Sequence, residues 1–276
     1  MSIATELSRI QSAKTDIRTA IEAKGVTVPS SALIDTYDEY IDQIPTGGGN
    51  YDLSIRYSDT SIPSSACSNT SSYIEEIVIG SNITGISSYA FNRCTRLSAY
   101  TIPDSVTSIG SYAFQHCSGL TSVYIPSGVT TIGSYAFAQV KSATAITFAQ
   151  GSQLTKINER AFSDTSKYPA SVNVVLPEGL TTINKNAFTT TDGIATLVIP
   201  STVTSIGNDA FRGLTYCTSI TCLATTPPTI GTNCFVLTAG DYSGGCPIYV
   251  PSASLDTYKA ANNWSSYAHR LQAIPS

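Results

Sequence analysis

Charge is scarce in this sequence. Only 12% of its residues are Asp, Glu, Lys or Arg, about half the usual share for a soluble protein. Solubility must then rest on Ser, Thr, Asn and Tyr, which suits extended β-rich surfaces better than helical bundles. With 15 Lys and Arg against 19 Asp and Glu, the net charge is −4 and no basic run occurs. Neutralising nucleic-acid phosphates takes clustered cations, so nucleic acid is not an expected partner. Long apolar runs are missing too. None approaches the ~18 residues needed to span a bilayer, and no membrane insertion is expected. Met1-Ser-Ile-Ala-Thr-Glu-Leu-Ser-Arg9 lacks the basic stretch and apolar run of a secretory signal. The expectation is a soluble chain made in the cytoplasm.

Reactive groups are equally few. The chain has two histidines, His116 and His269. A nucleophile pair of His116 with Cys117 is conceivable, but adjacent residues in a turn seldom aim at one point and no orienting acid lies near. His269 reads as a surface residue of a terminal helix. Phosphate-cradle, zinc-protease and nucleophile-elbow motifs are all missing. Gly47-Gly-Gly49 has no Lys after it. Carboxylates are scattered, and the adjacent pair Glu75-Glu76 would point to opposite faces of a strand. Seven cysteines occur, at 67, 94, 117, 217, 222, 234 and 246, with no CxxC pair. Structural zinc favours such pairs, so the thiols read as small buried side chains; their spacing leaves open a disulfide among the last four. No enzyme activity, cofactor, metal or catalytic residue is expected.

What the sequence has is a repeat. Ala-Phe recurs at Ala90-Phe91, Ala113-Phe114, Ala136-Phe137, Ala161-Phe162, Ala187-Phe188 and Ala210-Phe211, with Cys234-Phe235 as a degenerate seventh copy. The Phe-to-Phe steps are 23, 23, 25, 26, 23 and 24 residues. Each unit opens with a short alternating segment ending in Pro, such as Val123-Tyr-Ile-Pro126 or Leu197-Val-Ile-Pro200. It continues as in Val106-Thr-Ser-Ile-Gly-Ser-Tyr-Ala-Phe114. Alternation is the period of a strand, Pro stops the ladder, and Gly or Asn tolerates a tight bend. A single unit cannot bury its own Ile, Val and Phe, whereas stacked copies can. The pattern predicts parallel strands and a continuous phenylalanine spine.

These residues resemble the leucine-rich repeats of the BspA-like family, whose unit reads much like Leu120-Thr-Ser-Val-Tyr-Ile-Pro-Ser-Gly-Val-Thr-Thr-Ile-Gly-Ser-Tyr-Ala-Phe137. The resemblance covers about Ile77 to Pro251. The tail, Ile248-Tyr-Val-Pro-Ser-Ala-Ser-Leu-Asp-Thr-Tyr-Lys-Ala-Ala-Asn-Asn-Trp264, is similar to the closing segment of such proteins. Three places depart from the pattern: Phe148-Ala149, where Pro is missing, and Thr165 and Leu214, where the family often has Cys. The expected fold is a β-rich leucine-rich-repeat solenoid with an N-terminal helical module and a C-terminal helical cap. Its parts are a helical module at 1–45, a Gly-rich linker at 46–50, the solenoid at 51–251 and the cap at 252–276. The resemblance implies surface adhesion or extracellular binding.

Residues 1–45 have another texture. Ile3, Leu7, Ile10, Ile17 and Ile21 form a helical stripe close to a heptad seam, and Leu33, Tyr37, Ile41 and Ile44 form a second. Ala13-Lys-Thr-Asp-Ile-Arg-Thr-Ala-Ile-Glu-Ala-Lys-Gly25 followed by Tyr37-Asp-Glu-Tyr-Ile-Asp-Gln-Ile44 resembles the N-terminal stretch of phage tail-associated proteins of gut bacteria. That resemblance implies a virion component, attached to other virion proteins through the helices and recognising a bacterial surface receptor. The alternative is a bacterial surface or secreted adhesin that binds a host protein or glycan.

If Val123 and Ile125 point inward, Ser122 and Tyr124 point out. The same register exposes Glu76 and Val78, Ala99 and Thr101, Ala145 and Thr147, Asn173 and Val175, Thr196 and Val198, and Ser219 and Thr221. This shallow, neutral, hydroxyl-rich face is the candidate surface for a cell-surface protein or glycan. Tyr89, Tyr112 and Tyr135 should stack on consecutive turns beside the spine. A homotrimer is a further expectation from the Ile3–Ile21 stripe. It predicts a light-scattering mass near three times the 29.1 kDa of one chain, and a single-chain mass rules it out.

Overall fold

The computed structural model describes Thr19 and residues 60–67, 74–165, 172–236 and 245–275. The chain divides into two units, Met1–Asn50 and Tyr51–Ser276. The helical module at 1–45, apart from Thr19, and the linker at 46–50 lie outside the described residues.

The second unit is the predicted parallel solenoid, of about eight coils. One ladder consists of two-residue strands at Ser61–Ile62, Gly85–Ile86, Ser108–Ile109, Thr131–Ile132, Lys156–Ile157, Thr182–Ile183, Ser205–Ile206 and Thr229–Ile230, each paired with the next. The second residue of every strand is an Ile, and all eight are buried. A second, wider face carries the strands Glu76–Val78, Ala99–Thr101, Val123–Ile125, Ile146–Phe148, Val172–Val175, Ile194–Ile199, Ser219–Cys222, Ile248–Val250 and Leu271–Ala273. It is not one sheet. It falls into ladders of two, two and five strands.

Between the two faces runs the spine. Phe91, Phe114, Phe137, Phe162, Phe188, Phe211 and Phe235 are all fully buried, with successive ring centroids 4.9–5.6 Å apart. The degenerate seventh copy at Phe235 thus keeps its place. Trp264 (5.4 Å, tilted) and Tyr267 (5.6 Å, edge-on) close the stack. They belong to a cap that is less helical than expected. One helix, Leu255–Ala260, is followed by a 3-10 turn at Trp264–Tyr267 and by the closing strand Leu271–Ala273. His269 is exposed as expected, but on the turn before that strand and not in a helix.

Threonines staple the coils. In the Thr-x-Ile segments, Thr84, Thr107, Thr130, Thr155, Thr181 and Thr204 each donate both the backbone N–H and the hydroxyl to the carbonyl of the equivalent residue one coil back, and Thr229, which pairs with Ser205, donates both to Thr204 O. The hydroxyl bonds are 3.0–3.3 Å. Of the two departures at the expected Cys positions, Leu214 is a buried apolar side chain, whereas Thr165 follows the same logic. The Cys117 thiol donates to Phe91 O (3.1 Å), and at this repeat position Thr165 donates to Phe137 O and Thr191 to Phe162 O. A hydroxyl does the work of a thiol there.

The role assigned to Gly after Ile needs correction. Left-handed φ falls two residues later, on Tyr89, Tyr112, Tyr135, Arg160, Asn186, Asp209 and Asn233, where a side chain costs about 1–2 kcal/mol. Gly110 and Gly133 are needed for close approach. A Cβ on Gly133 would lie 2.5 Å from Gly110 C and Ser111 N, both backbone. Where the bend carries Asn158 and Asn184, their amides bond each other across the coils at 3.0 Å. Two outcomes test this packing in chemical denaturation. Phe162→Ala should cost about 3–5 kcal/mol by opening the spine, and Gly133→Ala roughly 1–3 kcal/mol by pushing two coils apart.

Candidate binding face

The outward positions of the wide face are set by strand pairing. Glu76 pairs with Ala99 and Val78 with Thr101; Tyr124 pairs with Thr147. Asn173, Thr196 and Ser219 form one row, and Val175, Val198 and Thr221 another. Every candidate residue read from the sequence therefore lies on one face. Glu76, Thr101, Ser122, Tyr124, Thr147 and Asn173 are exposed, while Thr196 and Thr221 are half-buried. Part of the hydroxyl capacity is used within the face, since Thr196 Oγ1 donates to Asn173 Oδ1 at 2.7 Å.

The face is more apolar than the sequence reading made it. The exposed large hydrophobic residues among those described are Val78, Tyr89, Tyr124, Val175, Tyr216 and Leu223. Four of these, Val78, Tyr124, Val175 and Leu223, sit in the outward register. Val175 is 62% exposed and Tyr124 47%. Leu223 and Tyr249 were missed. Leu223 continues the alternation past Thr221, and Tyr249 is the pairing partner of Thr221. Simple extension of the period would have found both.

Two interruptions shape this face. Tyr100 occupies an inward position, its ring 5.1 Å from Phe114. Its hydroxyl accepts from Tyr124 N–H (2.8 Å) and donates to Tyr124 O (3.0 Å). A phenol thus replaces the main-chain ladder between Ala99–Thr101 and Val123–Ile125. Burial pushes the Tyr100 hydroxyl well above the ordinary phenol range, against the opposing effect of its bond to Tyr124. The second interruption lies at Phe148-Ala149, the copy without Pro. Here Phe148, Gln150, Gly151, Val175, Pro177 and Glu178 border an open cleft of about 290 Å³, near the lower limit for small-molecule sites.

Two carboxylates near this face, Asp104 and Glu178, are engaged in structure. Asp104 accepts from Ser127 N–H (2.9 Å) and Oγ–H (2.8 Å), which lowers its pKa. Glu178 holds Ser201 of the next coil in the same way. Elsewhere, desolvation and the charges of Arg93 and Lys141 lower the His116 pKa, while the neighbouring Cys117 thiol is committed to Phe91 O. The tyrosine row stacks as expected, Tyr89–Tyr112 at 4.7 Å and Tyr112–Tyr135 at 4.8 Å. Arg160 then covers the last ring at 5.6 Å.

The repeat pattern described as the BspA type leucine rich repeat region matches in six copies, over residues 60–173 and 152–240. The chain belongs to this family. Among solved structures, this BspA-type chain is similar to a leucine rich cell surface protein from Faecalibacterium prausnitzii A2-165. Identity there is 32%, over 61% of this chain and 44% of that one, with a TM-score of 0.52. A leucine-rich repeat protein from Bacteroides ovatus ATCC 8483 is 24% identical, over 71% of this chain and 61% of that one, with a TM-score of 0.39. The chain thus spans less than half of the Faecalibacterium protein and less than two thirds of the Bacteroides one. None of the curated proteins compared with the chain matches it. The family match begins at residue 60, so it lends nothing to the phage-tail resemblance of the N-terminal segment.

Tyr100→Phe leaves the Tyr124 amide without its acceptor and should cost about 1–3 kcal/mol, with faster hydrogen exchange at Tyr124. A raised phenol pKa also fixes a sign. Below about pH 10 the phenol is protonated in both folded and unfolded chains. Above that, the unfolded chain releases the proton and the folded one does not, so stability falls as pH rises. Denaturation midpoints from pH 9 to 11 should show this decline, and Tyr100→Phe should flatten it.

Proposed function

We propose that this chain is the binding part of a bacterial cell-surface protein, which holds a protein or glycan partner against the wide strand face and performs no chemistry on it. The observation that carries this reading is the placement of Val78, Tyr124, Val175 and Leu223. A solenoid with a continuous interior has no structural need to leave large apolar side chains in water, and here four point out from one face, on alternate coils. Around these anchors stand Glu76, Thr101, Ser122, Thr147, Asn173, Thr196 and Thr221, which supply hydrogen bonds. The carboxylates of Asp104 and Glu178 are taken up by serines of the next coil.

Membership of the BspA-type family and likeness to a protein described as a cell surface protein support the location. Among the described residues, no helix is long and apolar enough to cross a membrane. Attachment would therefore rest on other parts of the protein or on other molecules.

The full chain and a Val78→Asp/Tyr124→Ala/Val175→Asp variant should be applied to a glycan array and to immobilised extracellular-matrix proteins. The wild-type chain should bind at least one. The variant, with an unchanged circular dichroism spectrum, should lose affinity at least about tenfold, as expected when apolar anchors are removed. Equal binding by both chains, or loss through Thr107→Val/Thr130→Val on the opposite ladder, overturns the assignment.

A further inference from the structure

The last repeat and the cap bring together two thiols and a buried cation. Cys217 precedes the strand Ser219–Cys222, and Cys246 precedes the strand Ile248–Val250. These strands are paired in parallel at Ile220 and Ile248, and Ile220 N–H bonds Pro247 O at 3.0 Å. Backbone pairing thus places both cysteines at the same end of neighbouring strands, where each thiol is the largest influence on the protonation of the other. Cys217 Sγ also lies 3.3 Å from Ser219 O. Cys217 and Cys246 are 7% and 6% exposed, respectively, and Cys246 adjoins the exposed Gly245.

Arg270, itself 5% exposed, completes the cluster. Its Nε donates to Cys246 O (2.9 Å), Nη1 to Phe235 O (2.7 Å), and Nη2 lies 3.7 Å from Cys246 Sγ. No carboxylate among the described residues forms an ion pair with it. A buried cation without a counter-charge is costly; the ionisable side chains against it are Cys246 and Tyr267, whose ring lies 5.6 Å from the guanidinium. Hydrogen bonding from Cys217, together with the Arg270 charge, pulls the Cys246 thiol down to about 7 against the opposing effect of burial. The other end of the solenoid supplies a contrast. Cys94 is hydrogen-bonded to both Cys117 and Cys67, yet the bond to Cys117 and burial push it well above the usual thiol range. Proximity is present in both clusters; the cation is present in one.

We infer that Cys217 and Cys246 form a disulfide site, oxidised by an external low-molecular-weight disulfide into a cross-link between the neighbouring strand segments that lead into Ser219–Cys222 and Ile248–Val250. The Cys246 thiolate, its proton already released to water, attacks one sulfur of the oxidant R–S–S–R. The S–S bond breaks, one RS⁻ leaves, and Cys246 carries a mixed disulfide. Cys217 gives its proton to that leaving thiolate and attacks Cys246 Sγ, expelling the second RS⁻, which is protonated from solvent. Two electrons and two protons pass from the dithiol to the oxidant, which ends as two RSH. Attack proceeds through the thiolate, so Cys246 initiates and Cys217 resolves. The cross-link closes a loop of about 30 residues, which restricts the unfolded chain and holds the strand Ile248–Val250, from which the cap continues. The site does not depend on what the wide face binds.

The full chain, reduced and then incubated natively with glutathione disulfide, should be alkylated, digested and mapped by mass spectrometry without reduction. A Cys217–Cys246 cross-linked peptide is expected, together with a rise in Tm on the order of 5 °C that dithiothreitol reverses. Cys246→Ser and Cys217→Ser should abolish the rise, and Cys222→Ser should not. Four results overturn the site: both thiols still fully alkylatable, glutathione left on Cys246 as a mixed disulfide without the cross-link, preferential pairing among Cys67, Cys94 and Cys117, or a cross-link that leaves Tm unchanged. The mapping uses the unmodified chain, so it decides the matter even if a variant fails to fold.

Discussion

Paired strands hold neighbouring chains about 4.8 Å apart, and a phenyl ring stacked on another needs nearly the same distance. The whole solenoid depends on this match. Because ring spacing and coil spacing agree, one Phe per coil forms an unbroken column from Phe91 to Phe235. Every other repeated feature can then sit in register around it. A column of this kind has ends, and the end at Phe235 is closed by Trp264 and Tyr267, whose rings turn out of the stacking plane. The cap stops the repeat by changing the ring geometry.

Around the column, each coil is tied to its neighbour by groups that recur with the same period. Threonine hydroxyls double the backbone bonds of the short ladder, and Asp104 and Glu178 hold serines of the following coil. These ties explain how a sequence so poor in charge remains ordered: its neutral polar groups are spent between coils, beside a few exposed ion pairs such as Arg96–Glu75 and Lys141–Asp164. They also explain the left-handed residues. The turn that carries Tyr89, Tyr112 and Tyr135 accepts backbone strain because inter-coil bonds on both sides hold it. In return it stacks the three rings outside the core.

Two irregularities interrupt the repeat. Tyr100 breaks one ladder and the Pro-less copy at Phe148 breaks another, so the wide face is segmented where Tyr124 and Val175 stand out. At the far end, Arg270 brings charge into a core that otherwise has almost none, and it does so beside two sulfurs. Both features interrupt a repeat whose other copies are accounted for by packing alone.

The sequence by itself determined the period, the inward and outward alternation, and the spine, because a side chain that recurs every 23 to 26 residues can be buried only by its own copies. It placed all eight candidate residues on one face for the same reason. It also held signals left unread, namely the Thr of each Val-Thr-x-Ile segment and the outward place of Leu223. Tertiary structure decided what period cannot express. That Tyr100 reaches across to Tyr124 depends on a ring longer than the Val of the next copy. That Gly133 is required by a backbone one coil away, and not by its own φ, depends on the distance between coils. That Cys217 and Cys246 meet beside Arg270 depends on strand pairing across a long connection, and contacts between residues far apart in the chain leave no local trace in it.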